Sequence, residues 1–290
     1  MPHGLPASID TVVFNVRGPR IAAAMLVGAA LAAAGAAYQV LFRNPLVSPD
    51  ILGVSTGSAL GAVCGIYLSL GVVWIQALAF VAGLGAVVVV YAIGTALRRH
   101  DPVLVLVLAG IVIGTLLGSC VSLLKYLADP YNQLPAITFW LLGSLASVTL
   151  GDVRAIVPSV LLGLVPLVLL RWRMNVMTLG EDEARALGVD TQRLRLAVVA
   201  AATLMTAAVV SISGVVGWIG LLVPHLARFL VGPDFRRLLP ASILLGAGYL
   251  LGVDTLARTA ARIEIPLGVL TAFIGAPFFI WILAASRRGG

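Results

Sequence analysis

The chain has 290 residues, of which 60% are hydrophobic and only 11% charged, well above the roughly 45–50% apolar content of soluble domains. This excludes a soluble globular fold. The formal net charge of +7 does not point to nucleic acid, because 18 of the 19 basic residues are Arg and they lie at the ends of apolar runs rather than in one patch, where they serve as topology signals and headgroup contacts.

A spanning helix needs about 20 mostly apolar residues. Nine segments meet that demand, at 21–42, 51–71, 74–96, 103–127, 153–170, 196–213, 215–231, 238–257 and 266–285. An apolar stretch at 139–149 reads as helix lying partly in the interface. No ten-residue alternating strands suggest a barrel, so the fold class is an all-α polytopic membrane protein, with residues 1–290 forming one transmembrane domain.

In chain order, residues 1–20 contain no apolar h-region of a cleavable signal. Gly53, Gly57, Gly61 and Gly65 recur every four residues, as do Gly110, Gly114 and Gly118, giving two helices a glycine face on which neighbouring backbones approach closely. Cys64 and Cys120 fall inside apolar spans and read as packing residues. Pro45, Pro49, Pro158, Pro166, Pro224 and Pro277 predict kinks or broken helices, which membranes tolerate where the freed backbone groups face protein or a water-filled path. Such irregularity leans toward a transporter.

The stretch from Arg171 to Arg195 concentrates charge that lipid rejects. Its core, Gly180 to Gly188, reads as a short helix of about two turns with acidic residues at its start and glycine at each boundary, the polarity that the helix dipole favours. If this loop is cytoplasmic, Arg171, Arg173, Arg185, Arg193 and Arg195 share a side with Arg43, Arg98, Arg99, Arg228, Arg236, Arg237, Arg287 and Arg288. Arg17, Arg20, Lys125, Arg154, Arg258 and Arg262 then lie opposite, and the positive-inside rule supports that orientation. Nine spans place the amino end outside without an export signal, an anomaly that suggests a further helix upstream.

No phosphate loop of the G-x-x-x-x-G-K-[ST] type is present, so any ATP used is hydrolysed by a partner. His3, His100 and His225 lack metal-ligand spacing, and no Ser/His/Asp or paired-carboxylate arrangement stands out. No catalytic residue, metal site or resident cofactor is expected. Intramembrane acids are nearly missing, which argues against a membrane enzyme and against an ion-coupled carrier.

Several segments together resemble the permease family of type II ABC importers, the membrane subunits that take up iron-siderophore complexes, haem and cobalamin. They are Arg17-Gly18-Pro19-Arg20, Leu26 to Ala32 with Gln39, Arg43-Asn44-Pro45-Leu46 leading into Ile51-Leu52-Gly53-Val54-Ser55, and Phe139-Trp140-Leu141-Leu142-Gly143-Ser144-Leu145. The Leu179 to Gly188 loop, Gly217 to His225 with Arg228, and Ile265-Pro266-Leu267-Gly268 followed by Gly275 to Phe279 complete the match. Family members have ten spans, so the first is the one this chain lacks by comparison.

The resemblance implies a homodimer with the path between its subunits, two ATPase subunits that bind ATP and Mg on the cytoplasmic side, and a periplasmic or extracellular binding protein above. Glu181, Glu183, Ala184, Arg185, Leu187 and Gly188 would form the ATPase-coupling helix; the plainer reading is a solvated loop helix. Arg17, Arg20 and Arg258 match positions that present arginines to acidic residues of the binding protein. Alternatively, Arg17 and Arg20 snorkel to headgroups while Arg258 pairs with Asp254 one turn earlier. Asn44, Pro45 and Leu46 match a cytoplasmic gate loop, or form an ordinary interhelical turn. The function implied is import of an iron complex, siderophore or haem, across the inner membrane, with cobalamin or molybdate as alternatives within the same architecture and an ion-coupled secondary carrier as the alternative of another class.

Overall fold

A computed structural model describes residues 11–97 and 102–286. Arg98, Arg99, Arg287 and Arg288 of the topology argument, with His3 and His100, lie outside the described residues. A π-helical turn, Thr11–Arg17, runs into α1 (Gly18–Leu41). There follow α2 (Val54–Tyr67), α3 (Val72–Ala96), α4 (Pro102–Leu127), α5 (Gln133–Leu142) and α6 (Leu150–Leu169). Two short helices, α7 (Arg171–Met177) and α8 (Glu181–Ala186), lead to α9 (Thr191–Ser213), α10 (Ile219–Val231), α11 (Phe235–Thr259) and α12 (Leu267–Ser286).

All nine apolar segments are helical. Among the described residues, six helices are long and apolar enough to cross a membrane, α1, α3, α4, α6, α9 and α11, and the segments Val54–Tyr67, Ile219–Val231 and Leu267–Ile280 are shorter apolar helices. The segments at 51–71 and 215–231 are shortened by local breaks. Residues Pro49–Leu52 form a 3-10 turn that ends at left-handed Gly53, with φ 79°, and Gly214–Trp218 separates α9 from α10. The interfacial helix expected at 139–149 is instead α5, which stops at Gly143, where φ is 74°. Residues 143–149 form no helix, and α6 begins afresh behind a capping box between Thr149 and Asp152.

Small side chains explain the centre of the molecule. From Ala30 to Leu41 every residue of α1 is buried, because α6, α9, α10 and α11 pack around it. Gly28 of α1 lies against Gly246 of α11, and Gly35 against Gly220 of α10, so closely that a side chain at any of these positions would overlap backbone or a proline ring. Lipid offers little reason for helices to associate, and close backbone approach supplies van der Waals contact instead. The glycine face of α2 behaves likewise, with Gly57 and Gly61 meeting Leu78 and Ala82 of α3. On α4 only Gly110 is tightly packed, against the Ile51 carbonyl, while Gly114 faces open space.

The broken helices meet one another. Ser144 N–H donates to the Ser213 carbonyl at 2.9 Å, and Leu267 N–H donates to the Gly143 carbonyl at 3.0 Å, so the irregular backbone is satisfied within the protein as a bilayer demands. The helix ends sort the charges. At one end, the Asn175 side chain holds the Asp234 carboxylate at 2.6 Å and the Phe235 N–H at 2.7 Å, which places α7 beside the start of α11. The exposed Asp234 carboxylate there is held below the usual range by the Arg236 backbone N–H and by Asn175. At the opposite end, Gln76 of α3 reaches Asp152 of α6 at 3.0 Å.

Candidate functional site

Residues 181–186 form the expected short helix, and its boundaries explain why. Gly180 starts it with φ 138° and Gly188 follows it with φ 80°, conformations that favour glycine. Val189 N–H bonds the Ala184 carbonyl and Gly188 N–H bonds the Arg185 carbonyl, both at 2.9 Å, closing the C-terminal end. The helix has two sides. Ala184 is fully buried and faces the protein, whereas Asp182, Glu183, Arg185, Leu187 and Gly188 are exposed.

Glu181 belongs to the inner side. Its carboxylate accepts from Arg185 at 3.3 Å and also from Arg195, a buried residue on the first turns of α9. Arg185 Nε donates to Thr191 Oγ1 at 3.2 Å. The helix is therefore tied to α9 through charge-assisted bonds, the stronger class of hydrogen bond.

The chain leaves α1 through a tight turn at the same end. Arg43 has φ 48°, Asn44 Oδ1 accepts the Leu46 N–H at 2.9 Å, and Asn44, Pro45 and Leu46 are all exposed. Behind the turn, Pro49 seats against Gly220 of α10. A cavity of about 650 Å³ lies between Arg43 and the Gly180–Glu183 segment. The structure thus brings Arg43, beside the turn, together with Gly180, at the start of α8, across 137 residues of sequence, which no local pattern could reveal.

A third cluster sits at the opposite end. Arg20 donates through Nε and Nη2 to Asp254 at 2.7–3.1 Å and through Nη1 and Nη2 to Glu264 at 3.1 and 2.6 Å. Arg258 pairs with the same Asp254 at 3.3 Å, the helical-turn partner expected from spacing. Arg20 is only 8% exposed, and its guanidinium is turned into the protein toward Asp254 and Glu264. Arg17 is exposed and Arg258 half-buried. The role of Glu264 escaped sequence reasoning, although an acid one residue before Ile265-Pro266 in so apolar a chain was a visible signal.

Sequence reasoning also left Gln39 and Arg228 without a task. Gln39 Nε2 donates to the Leu221 carbonyl at 3.1 Å and Arg228 donates to Gln39 Oε1 at 3.3 Å. They join α1 to α10 beside Pro224, where the proline interrupts the helical hydrogen-bond ladder. Neither ring nitrogen of His225 finds a hydrogen-bond partner among the described residues. No cluster of three or more metal-ligating side chains occurs among them either.

Comparison with known proteins matches residues 3–285 to the FecCD transport family. The chain is 43% identical to the cobalamin import system permease protein BtuC of Halobacterium salinarum, over 98% of this chain and 76% of the relative. It is 40% identical to the molybdate import system permease protein MolB of Haemophilus influenzae, over 96% of this chain and 82% of the relative. Among solved structures, an inward-facing conformation of a metal-chelate type ABC transporter superposes with a TM-score of 0.91 at 38% identity, covering 98% of this chain and 91% of that one.

Proposed function

The chain belongs to the FecCD transport family, and from that premise we propose that it is the transmembrane subunit of an ATP-driven importer carrying an iron complex, siderophore or haem, across the inner membrane. In this reading it works as a homodimer with two ATPase subunits, which supply ATP and Mg chemistry, and an external binding protein. The observation that carries the reading is the cavity that Phe42 and Arg43, just before the exposed turn Asn44–Pro45–Leu46, share with the Gly180–Glu183 segment at the start of the exposed helix α8. An ATPase that grips the outer side of α8 moves α9 through the Glu181–Arg195 bond, and it acts on the mouth of the path beside it. Arg17 and Arg258 offer cations to the binding protein on the opposite face, with Arg20 holding Asp254 in place beneath them.

The test is uptake by the reconstituted complex. Exchanging the charges at Glu183 and Arg185 should reduce uptake to a small fraction of its starting rate while ATP hydrolysis and the membrane fold persist. Unchanged uptake would leave α8 a mere connector. The permease alone in liposomes should be silent, whereas an ion-coupled carrier would transport without partners.

A metal chelate as cargo draws support from the metal-chelate transporter that superposes on nearly the whole chain. Cobalamin import is the second reading, favoured by the 43% identical relative. Titrating the cognate binding protein with ferric siderophores, haem, cobalamin and molybdate separates them.

A further inference from the structure

Helices α7 and α11 meet at one hydrogen-bonded bridge, from Asn175 to Asp234 and Phe235, and four arginines surround it. Arg171 and Arg173 lie within one helical turn of Asn175, and Arg236 and Arg237 directly follow Phe235. All four are exposed. Among the described residues none of the four forms an ion pair. The carboxylate at the bridge, Asp234, is committed to the Asn175 amide at 2.6 Å and to the Arg236 backbone N–H at 3.0 Å. It offsets one of the four charges and leaves three.

The level of these arginines in the bilayer follows from α6. Its 20 residues extend about 30 Å at 1.5 Å each, the thickness of a hydrocarbon core, and Arg171 comes two residues after its last, Leu169. Exposed Leu162, Val165 and Leu169 are spaced as one column on the helix surface, and Trp172 and Arg173 follow three and four residues further on. Trp172 is half exposed and of the type that favours the boundary between hydrocarbon and headgroups. On α11 the exposed residues Arg237, Pro240 and Leu244 repeat that order, a cation at the helix end with an apolar column behind it. Each pair of arginines therefore stands at headgroup level at the foot of a lipid-facing column. That continuity favours a lipid over a soluble protein as the occupant. A guanidinium takes phosphate oxygens with its planar fork of donors, and two arginine pairs on either side of one bridge match two phosphates of one molecule.

We propose that α7 and the start of α11 bind one anionic phospholipid carrying two phosphates, of the cardiolipin class, with one phosphate held by Arg171 and Arg173 and the other by Arg236 and Arg237. Its acyl chains lie along the exposed columns of α6 and α11. Bound there, the lipid braces α7 against α11 at the root of the segment that leads to α8. The proposal depends neither on the cargo nor on the ATPase.

The test uses the purified full chain in mixed micelles containing tetraoleoyl cardiolipin, dioleoyl phosphatidylglycerol and dioleoyl phosphatidylcholine at equal phosphate, with retained lipid counted by native mass spectrometry. One cardiolipin should remain per chain. Arg171→Gln with Arg237→Gln, which removes one cation from each pair, should weaken its retention about 25-fold, two factors of about five for two arginines at the membrane surface. The thermal midpoint in lipid-free detergent should not move. Arg154→Gln, at the exposed other end of α6, should retain cardiolipin as wild type does. Retention of phosphatidylcholine or phosphatidylglycerol equal to that of cardiolipin would overturn the proposal, as would an equal loss in Arg154→Gln. Full retention in the double variant would overturn it too, and lost association of that variant with the ATPase subunit would then mark the patch as a protein interface. The lipid count needs neither ATPase nor cargo, so its failure leaves the importer reading standing.

Discussion

Arg20 shows how a residue's neighbours in space override its neighbours in sequence. By position it stands beside Arg17 as a second outward cation, yet it is buried and joins α1 to Asp254 of α11 and to Glu264 in the loop after that helix. Spacing alone finds the Arg258–Asp254 pair, because four residues make one helical turn; a partner 234 residues away has no such signature. The Asp254 side chain is fully buried, and removing one partner of a buried pair strands charge at a cost of several kcal/mol. Arg20→Ala should therefore destabilise the permease by about 3 kcal/mol, the low end of that range because Arg258 remains to share the carboxylate. Thermal unfolding of the detergent-solubilised protein checks this. Arg17→Ala should leave the midpoint unchanged, and Arg20→Ala combined with Asp254→Asn should recover much of the loss. A midpoint shift no larger for Arg20→Ala than for Arg17→Ala would refute the assignment.

At the scale of the helix, composition foretold the elements better than their ends. Apolar runs located all nine long segments because hydrocarbon leaves a backbone little choice but helix, and the glycine repeat of α2 correctly announced a close neighbour. The breaks at Gly143 and Gly214 were not legible, since a glycine in a membrane helix serves equally for packing and for positive φ. Gly246 and Gly248, two residues apart on α11, separate these uses. A Cβ at Gly246 would lie 2.6 Å from the Ala32 Cβ and still closer to the Gly28 carbonyl, whereas one at Gly248 meets nothing within 4 Å. Gly246→Ala should cost about 1–3 kcal/mol through overpacking of α1 on α11. Gly248→Ala should be neutral or stabilise by up to about 1 kcal/mol, the helix-propensity gain over glycine. Chemical unfolding of the two variants side by side decides the matter, and equal effects would mean that α1 and α11 are not locked by that contact.

Across the whole molecule, the two ends of the bundle differ in how firmly their charges are held, and the sequence could show only which side each charge was on. Counting arginines proposes an orientation, and the structure gathers α8 and the Asn44–Leu46 turn at one end and the Arg20–Asp254–Glu264 cluster at the other. At the α8 end the exposed charges stand on a helix braced by Glu181 and Arg195. At the opposite end Asp254 accepts from Arg20 and is ion-paired with Arg258, so the cation at Arg258 is held by that carboxylate, while Arg17 is free of carboxylate partners among the described residues. Charges of this kind at the rim of an interface act on encounter more than on the lifetime of the complex. Arg17→Glu with Arg258→Glu should therefore slow association of the binding protein by about tenfold or more at low salt and leave dissociation nearly unchanged. The difference from wild type should shrink as ionic strength rises and the screening length falls below about 10 Å. Surface plasmon resonance over a salt series measures both rates. A loss that appears mainly in dissociation, or that persists unchanged in high salt, would mean that these arginines are held for packing at the membrane surface and that the binding protein docks elsewhere.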